Sequence, residues 1–315
     1  MFRGQRVSAA FAAALTAALA LAGAGAADAA TPCPGNPNAL GTSRVIEVNP
    51  VHTPLIGSHD YGRTLPLARG EVVLTFDDGP QTPNTQRVLR ALADHCVQAT
   101  FFIVGREAAR DPATVRQIYA AGHTIGTHTH HHPLRRMSPQ EAAYEINTGF
   151  AAVRAAAGDP RMVAPFFRFP GLFTTTHGEQ YVRSRGIAAF SIDIDTYDWK
   201  RIGPQRMLHD TLERLDRRGG GIVLMHDVQD KTAMMLPVFL SELRARGYRV
   251  VHMVPAGQRG PDNGPLARIG PPQWWPLSPQ PAAESDAYAQ GQPQPAPPSP
   301  TPRLYWQHNN PFEQR

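Results

Sequence analysis

From Glu71 onward, short apolar runs alternate with segments whose apolar residues recur at helical spacing. The run Val72–Phe76 predicts a buried strand, while Leu89 and Leu92 predict one face of a helix over Thr85–Asp94. Further strands are predicted at Ala99–Val104, His123–Thr127, Phe166–Phe169, Ala188–Ile194, Gly221–Met225 and Tyr248–Met253, and further helices at Ala113–Ala121, Pro139–Ala157, Gly178–Arg185, Pro204–Arg217 and Met235–Arg246. This alternation is typical of a parallel α/β sheet, and the spacing alone does not distinguish an open sheet from a barrel.

The two ends of the chain follow a different pattern. Residues 1–29 carry a basic head, an apolar run and an Ala-Asp-Ala sequence, which is the layout of a signal peptide. An uncleaved membrane anchor is the alternative, because residues 7–27 are roughly long enough to span a bilayer. We predict an irregular arm over residues 30–70, a folded domain over residues 71–255, and a disordered Pro/Gln-rich tail over residues 256–315.

Composition limits the classes of partner. The net charge of +5 falls to +4 without residues 1–29, which hold two Arg and one Asp. This modest basicity could favour an anionic envelope polymer, but the chain lacks the Lys/Arg runs with interleaved aromatic residues that are typical of nucleic-acid binding. The two cysteines, Cys33 and Cys96, could form a disulfide after export and staple the arm to the first strand–helix unit. Two unpaired thiols are the alternative.

Two adjacent acids follow the first predicted strand. Asp77 and Asp78 stand between that strand and a Gly-Pro turn. Neighbouring side chains on a strand point to opposite faces unless a turn re-aims them. Burying even a neutral polar group without a partner costs roughly 2–7 kcal/mol. A metal ion or a cationic side chain would compensate the pair, whereas a solvated Asp-Gly turn would need neither.

A histidine cluster follows the strand predicted at His123–Thr127. His128 and His132 are four positions apart, so both rings face one side if the chain turns helically after the strand. Neutral imidazoles in that arrangement suit a divalent transition metal. His128 with His131 is also sterically feasible, and a surface cluster that binds metal only adventitiously is a further alternative.

Three more predicted strands end in polar residues. Arg168 lies within an aromatic run, where a charge needs a carboxylate partner. Asp198 and Trp199 follow the next strand, and His226 ends an apolar one. Taken singly, these residues could be a structural ion pair, a helix cap and a core histidine. Because ligands collect at the carboxyl ends of parallel strands, five polar clusters at such ends indicate a common site.

Five ordered motifs within Glu71 to Val254 carry a family resemblance. They are Thr75-Phe76-Asp77-Asp78-Gly79, His128-Thr129-His130-His131-His132, Arg168-Phe169-Pro170, Asp195-Thr196-Tyr197-Asp198-Trp199 and Leu224-Met225-His226. In these motifs the chain resembles the polysaccharide deacetylases with a NodB homology domain, carbohydrate esterase family 4. The resemblance implies an α/β fold in the form of a distorted (β/α) barrel, and one divalent transition metal ion, with zinc expected first and cobalt or nickel as alternatives.

The resemblance also implies a role for each matching residue. The metal ligands would be Asp78, His128 and His132, the catalytic base Asp77, the catalytic acid His226, the supporting residues Arg168 and Asp198, and the acetyl-pocket residues Trp199, Leu224 and Gly171. Gly171 departs from the family pattern, which often has Tyr there. Its backbone N–H is retained, but the substrate contacts of that ring are lost.

The implied roles lead to expectations about protonation. We expect the ion and Arg168 to depress the pKa of Asp77, so that Asp77 stays a carboxylate able to take a proton. We expect Asp198 to keep His226 protonated. The two pKa values would then be shifted in opposite directions, as in an acid/base pair.

The function implied by the resemblance is an exported, metal-dependent hydrolase that removes N-acetyl groups from a β-linked amino-sugar polymer. It would cleave carbon–nitrogen bonds in linear amides, and peptidoglycan, chitin-type oligomers and poly-N-acetylglucosamine are the candidate substrates. An O-acetyl esterase on xylan or another acetylated glycan is the alternative. A glycan-binding module without turnover is disfavoured, because all five motifs are filled. The expected location is the periplasm, the cell envelope or the exterior, with membrane contact only if the N-terminal segment stays uncleaved.

Overall fold

The computed structural model describes Met1 and residues 33–257, so nearly all of the predicted signal peptide and of the predicted tail lie outside the described residues. The strands in this part of the chain are β1 Thr42–Val48, β2 Leu55–Ile56, β3 Glu71–Asp77, β4 Thr100–Ile103, β5 Thr124–Thr127, β6 Val163–Phe167, β7 Ala188–Phe190, β8 Ile194–Asp195, β9 Gly220–His226 and β10 Arg249–Pro255. The helices are α1 Ser58–Tyr61, α2 Asn84–Asp94, α3 Gly105–Arg110, α4 Pro112–Ala120, α5 Pro139–Ala157, α6 Thr176–Ser184, α7 Pro204–Arg218 and α8 Asp230–Ala245.

The strands pair in parallel and the sheet closes on itself. β3 pairs with β4 on one side and with β9 on the other, and the order continues through β5 and β6 to β7. The stretch Ala188–Asp195 closes the ring, because its first part, β7, pairs with β6 and its last part, β8, pairs with β9. β10 and β1 attach at the start of β3. The predicted distorted (β/α) barrel is therefore confirmed.

Alternation of side chains along the strands creates an inner and an outer apolar layer. Val73 and Phe102 belong to the cluster inside the barrel, whereas Leu74 packs outward among residues of the helices. Asp77 lies four positions after Val73 and therefore shares its inward face. The period of β3 thus directs the first acid of the pair into the barrel.

The arm is more regular than its sequence predicts. β1 pairs with β10 from Thr42 beside Val250 to Val48 beside Pro255. The local sequence reveals the apolar stretch inside β1 but not its pairing, because the partner strand β10 lies at the far end of the described chain. Within residues 33–257, no helix combines the length and the apolar content needed to cross a bilayer.

A disulfide joins Cys33 and Cys96, as the sequence allows. The two residues are 63 apart in sequence and their Cα atoms lie 5.7 Å apart. Asn36 connects the same two segments, since its side-chain amide donates to the carbonyl of Asp94 at 2.8 Å. The bridge therefore staples the start of the arm to the end of α2.

Cys33→Ser is expected to lower the free energy of unfolding by roughly 2–4 kcal/mol, because the unfolded chain regains the freedom of the closed loop. Urea denaturation followed by circular dichroism measures the loss. Reduced wild-type protein should match the variant, and adding Cys96→Ser should cost little more. Equal midpoints for the oxidised wild type and the variant would contradict the prediction.

Candidate active site

The polar residues predicted from the sequence meet at the carboxyl ends of the barrel strands. They surround a cavity of about 950 Å³, a size at the top of the range for small-ligand sites. The residues that line it include Asp77, Asp78, His128, His132, Gly171, Trp199, Leu224 and His226. Arg168 and Asp198 lie behind this surface and are fully buried. All ten predicted site residues are therefore brought together.

Asp78, His128 and His132 form a compact donor set. One possible ligand atom from each lies within 4.8 Å of the other two. The Asp78 Oδ1 atom is 2.9 Å from His132 Nε2 and 3.5 Å from His128 Nε2. This buried oxygen faces the two imidazole nitrogens, where a cation held by all three residues would lie. One carboxylate and two imidazoles are the donor types that suit zinc and similar metals.

The tautomer of His128 fits this use. Its Nδ1 atom lies 2.8 Å from the backbone carbonyl of Arg168, which can only accept a hydrogen bond, so Nδ1 carries the proton. The lone pair of Nε2 is thereby left facing Asp78. A histidine ligand held through its other ring nitrogen is the usual arrangement in metal sites.

The turn that carries the histidines is not helical, although the sequence prediction assumed a helical turn after the strand. Thr129 and His132 have left-handed backbone conformations, with φ of 66° and 58°. The Thr129 hydroxyl accepts a hydrogen bond from the backbone N–H of His132 at 3.0 Å. His131 instead turns to Glu145, with 2.8 Å between Nδ1 and Oε1. The spacing alternative of His128 with His131 is therefore excluded.

The backbone of Asp78 explains how two neighbouring acids reach one cavity. Asp77 ends β3 with its side chain inside the barrel, where a regular strand would send the next side chain to the other face. Asp78 has a φ of 79°, a left-handed conformation that is uncommon outside glycine. This conformation re-aims the second carboxylate toward the histidines.

Arg168 holds Asp77 inside the barrel. Its Nη1 atom donates to Asp77 Oδ1 at 2.7 Å and to the Thr75 hydroxyl at 3.0 Å. Its Nη2 atom donates to the carbonyl of Ser191 at 3.2 Å, and its guanidinium carbon lies 4.3 Å from the centre of the Phe102 ring. The arginine thereby fixes the position of the Asp77 carboxylate.

The two adjacent acids have opposite pKa shifts. Burial raises the pKa of Asp77 to about 6, although Arg168 and His226 oppose the shift. Among the protein's own groups, desolvation outweighs the nearby cations. The expected depression depends also on the ion and stays a prediction. For Asp78, burial also favours the neutral form, but His132, together with His226 and His128, outweighs burial and lowers the pKa.

His226 is held by a buried carboxylate. Its Nδ1 atom lies 2.6 Å from Asp198 Oδ1, and its backbone N–H donates to Asp198 Oδ2 at 2.6 Å. The hydroxyl of Thr232 donates to the same Oδ2 at 2.6 Å. Burial lowers the pKa of His226, but Asp198 more than offsets this and the net pKa is raised to about 10. The protein's own groups therefore raise the pKa values of both Asp77 and His226.

The backbone and the surroundings of Gly171 favour glycine over the tyrosine that the family often has at this position. Its φ is 56°, and a Cβ atom built on it would lie 3.0 Å from the ring of Phe173. A tyrosine at this position would combine a strained backbone with a crowded side chain. Phe173 also lines the cavity, so an aromatic ring remains at this wall.

Two buried acids near the site were missed by sequence reasoning. Glu145 on α5 accepts hydrogen bonds from the backbone N–H groups of His130 and His131, at 3.0 and 2.8 Å. Asp227 accepts one from the Thr85 hydroxyl and packs against Gly79, and burial raises its pKa to about 7. The sequence does carry a signal for each residue. Glu145 is an acid on the apolar face of α5, and Asp227 is an acid directly after an apolar strand.

Comparisons with known proteins agree with this geometry. The family model described as polysaccharide deacetylase matches residues 65–190. A chitooligosaccharide deacetylase from a Bradyrhizobium species is 34% identical over 199 residues, covering 58% of this chain and 89% of the relative. A peptidoglycan-N-acetylglucosamine deacetylase, PgdA, from Listeria monocytogenes is 33% identical over 184 residues, covering 57% of this chain and 37% of that relative.

Solved structures give the same result. A peptidoglycan deacetylase from Bdellovibrio bacteriovorus superposes with a TM-score of 0.61 at 32% sequence identity, covering 72% of this chain and 63% of that one. A family 4 carbohydrate esterase from Streptomyces lividans, solved with acetate, has a TM-score of 0.51 at 28% identity. It covers 63% of this chain and 97% of that chain. With the barrel, the site geometry and these relatives in agreement, the chain belongs to the polysaccharide deacetylases with a NodB homology domain, carbohydrate esterase family 4.

Proposed function

We propose that this protein is a metal-dependent hydrolase that removes N-acetyl groups from a β-linked amino-sugar polymer. One observation carries the proposal: a single cavity holds an Asp-His-His donor set beside an acid, Asp77, and a histidine, His226, each fixed by a buried charged partner. A binding module would need neither proton-transfer group. The names of the relatives, chitooligosaccharide deacetylase and peptidoglycan-N-acetylglucosamine deacetylase, support an amino-sugar substrate.

Amide hydrolysis requires an electrophilic carbonyl, a nucleophilic water and a protonated leaving amine. A divalent ion held by Asp78, His128 and His132, with zinc expected first, would supply Lewis acidity to the carbonyl and to the water. Asp77 takes the proton from the water, because Arg168 keeps its carboxylate in place. His226 gives its proton to the departing nitrogen and is held for this by Asp198. Trp199 and Leu224 enclose the acetyl group.

Two features support an exported location. The disulfide between Cys33 and Cys96 suits an oxidising compartment. The first 29 residues have the layout of a signal peptide. An exported enzyme would meet its glycan in the periplasm, in the cell envelope or outside the cell.

The test of the function is acetate release by the zinc-loaded protein. We expect release from N-acetylated chito-oligomers or peptidoglycan strands, and little from acetylated xylan. Amine formation, measured in parallel, identifies the bond that is cleaved. Release from xylan alone would replace the proposal with an O-acetyl esterase, and no release from any glycan would leave a binding module.

The neighbouring acids should respond differently to the same substitution. Asp77→Asn should keep the bound zinc and lower kcat about a hundredfold or more, because it removes the proton acceptor. Asp78→Asn should lose zinc itself, because it removes a charged ligand. Metal analysis of the dialysed proteins, combined with acetate release, separates the two effects. Loss of zinc in both variants, or in neither, would refute the division of roles.

The alkaline limb of activity should depend on Asp198. This carboxylate keeps the pKa of His226 near 10 against the effect of burial, so in Asp198→Asn burial dominates and the pKa of His226 falls. His226 then loses its proton at lower pH, and the alkaline limb of the kcat/KM profile should shift to lower pH. Half-buried Asp159, which is not part of the cavity lining, provides the control, since Asp159→Asn should leave the limb in place. A limb that does not move in Asp198→Asn would exclude His226 as the acid.

A further inference from the structure

The cavity extends beyond the catalytic centre to a wall formed by Tyr197, Lys200 and Arg214, which we call the cationic wall. All three residues line the cavity. Lys200 Nζ lies 3.9 Å from the centre of the Tyr197 ring, and the guanidinium carbon of Arg214 lies 4.8 Å from the same centre. One aromatic ring therefore holds two positive charges at the edge of the site.

Neither Lys200 nor Arg214 forms a salt bridge with a carboxylate of residues 33–257. Three neighbouring carboxylates pair with other arginines: Asp210 with Arg206 at 2.8 Å, Glu213 with Arg217 at 3.5 Å and Asp193 with Arg218 at 2.8 Å. Asp195, which also lines the cavity, accepts hydrogen bonds from Tyr197 and Trp199 instead. The Arg214 side chain donates a long hydrogen bond of 3.5 Å to the Thr211 hydroxyl. Its Nε atom is buried and has no hydrogen-bond acceptor among the described residues.

The wall is fixed relative to the catalytic histidine. Tyr197 has a left-handed backbone with a φ of 55°, and its backbone N–H donates to Asp195 Oδ1 at 2.7 Å. The next residue is Asp198, which holds His226. A tyrosine kept in a strained conformation indicates that its position matters. A ligand that reaches the wall would therefore lie at a defined distance from the reacting acetyl group.

We propose, building on the deacetylase function above, that the cationic wall is a subsite for a carboxylate on the sugar next to the one that is deacetylated. Lys200 and Arg214 supply the charges, and the guanidinium of Arg214 suits the two oxygens of a carboxylate. The preferred substrate class is then a glycan in which N-acetylated sugars alternate with carboxylate-bearing ones. A neutral chitin-type chain would leave both charges without a partner.

The test uses the zinc-loaded full-length protein and three glycans. These are peptide-free peptidoglycan strands with their lactyl carboxylates, the same strands with the carboxylates converted to neutral amides, and neutral chito-oligomers. Acetate release gives kcat/KM, and calorimetry gives binding without turnover. The variants are Lys200→Gln, Arg214→Gln and the double variant. Arg183→Gln is the matched control, since Arg183 is exposed on α6 and is not part of the cavity lining.

The wild type should prefer the acidic strands to the amidated strands, and salt should weaken the preference. The ratio of the two kcat/KM values should fall about tenfold in the double variant, as expected for the loss of a charge-assisted contact. The change should appear in KM, because the wall does not touch the reacting atoms. Arg183→Gln should keep the wild-type ratio.

Two outcomes would overturn the subsite: equal affinity of the wild type for acidic and amidated strands, or an unchanged ratio in the double variant. If acetate is released without any preference for acidic strands, the subsite fails and the deacetylase function stands. If acidic strands bind preferentially through Lys200 and Arg214 but release no acetate, the subsite stands and the deacetylase function fails.

Discussion

The buried ion pair between Arg168 and Asp77 is the interaction on which the rest of the site depends. Arg168 is 0% exposed and connects several strands of the barrel, through Asp77 on β3, through the Phe102 ring on β4 and through the carbonyl of Ser191 after β7. Its own carbonyl also accepts the Nδ1 proton of His128. Removing one partner of a buried pair leaves an uncompensated charge, which typically costs about 3–5 kcal/mol. The residue that positions the proposed base thus also orients a proposed metal ligand.

Backbone strain is concentrated around this pair. Asp78, Thr129, His132 and Tyr197 all have positive φ angles, and each lies directly beside or within a loop that carries a site residue. Such conformations persist only where the surrounding structure enforces them. Here the hydrogen bond from the His132 backbone to the Thr129 hydroxyl, and the burial of the turn after β3, supply that enforcement. Short loops, rather than a helix, therefore bring Asp78, His128 and His132 close together.

The sequence predicts the elements of this fold better than their partners. Most strands of the barrel follow from apolar runs, but the pairing of β1 with β10 depends on residues far apart in the chain, which local spacing does not reveal. The single strand predicted at Ala188–Ile194 is two short strands, β7 and β8, with different neighbours. The motifs bring the right residue types to the right strand ends. Whether His131 or His132 joins His128 is decided by backbone angles and by Glu145, and neither is visible in the spacing.

The pKa values of Asp77 and His226 bound the pH interval in which the proposed proton transfers can occur. The proposed chemistry needs Asp77 ionised and His226 protonated, a combination that exists only between their two pKa values. With the ordinary values of 3.8 and 6.5 this interval would be acidic. Burial raises the lower limit to about 6, and Asp198, acting against burial, raises the upper limit to about 10. The rise of the upper limit brings neutral pH into the working interval, and the rise of the lower limit narrows that interval from the acidic side. Burial of Asp77 and the carboxylate beside His226, more than the residue types themselves, set the pH at which this site can transfer protons.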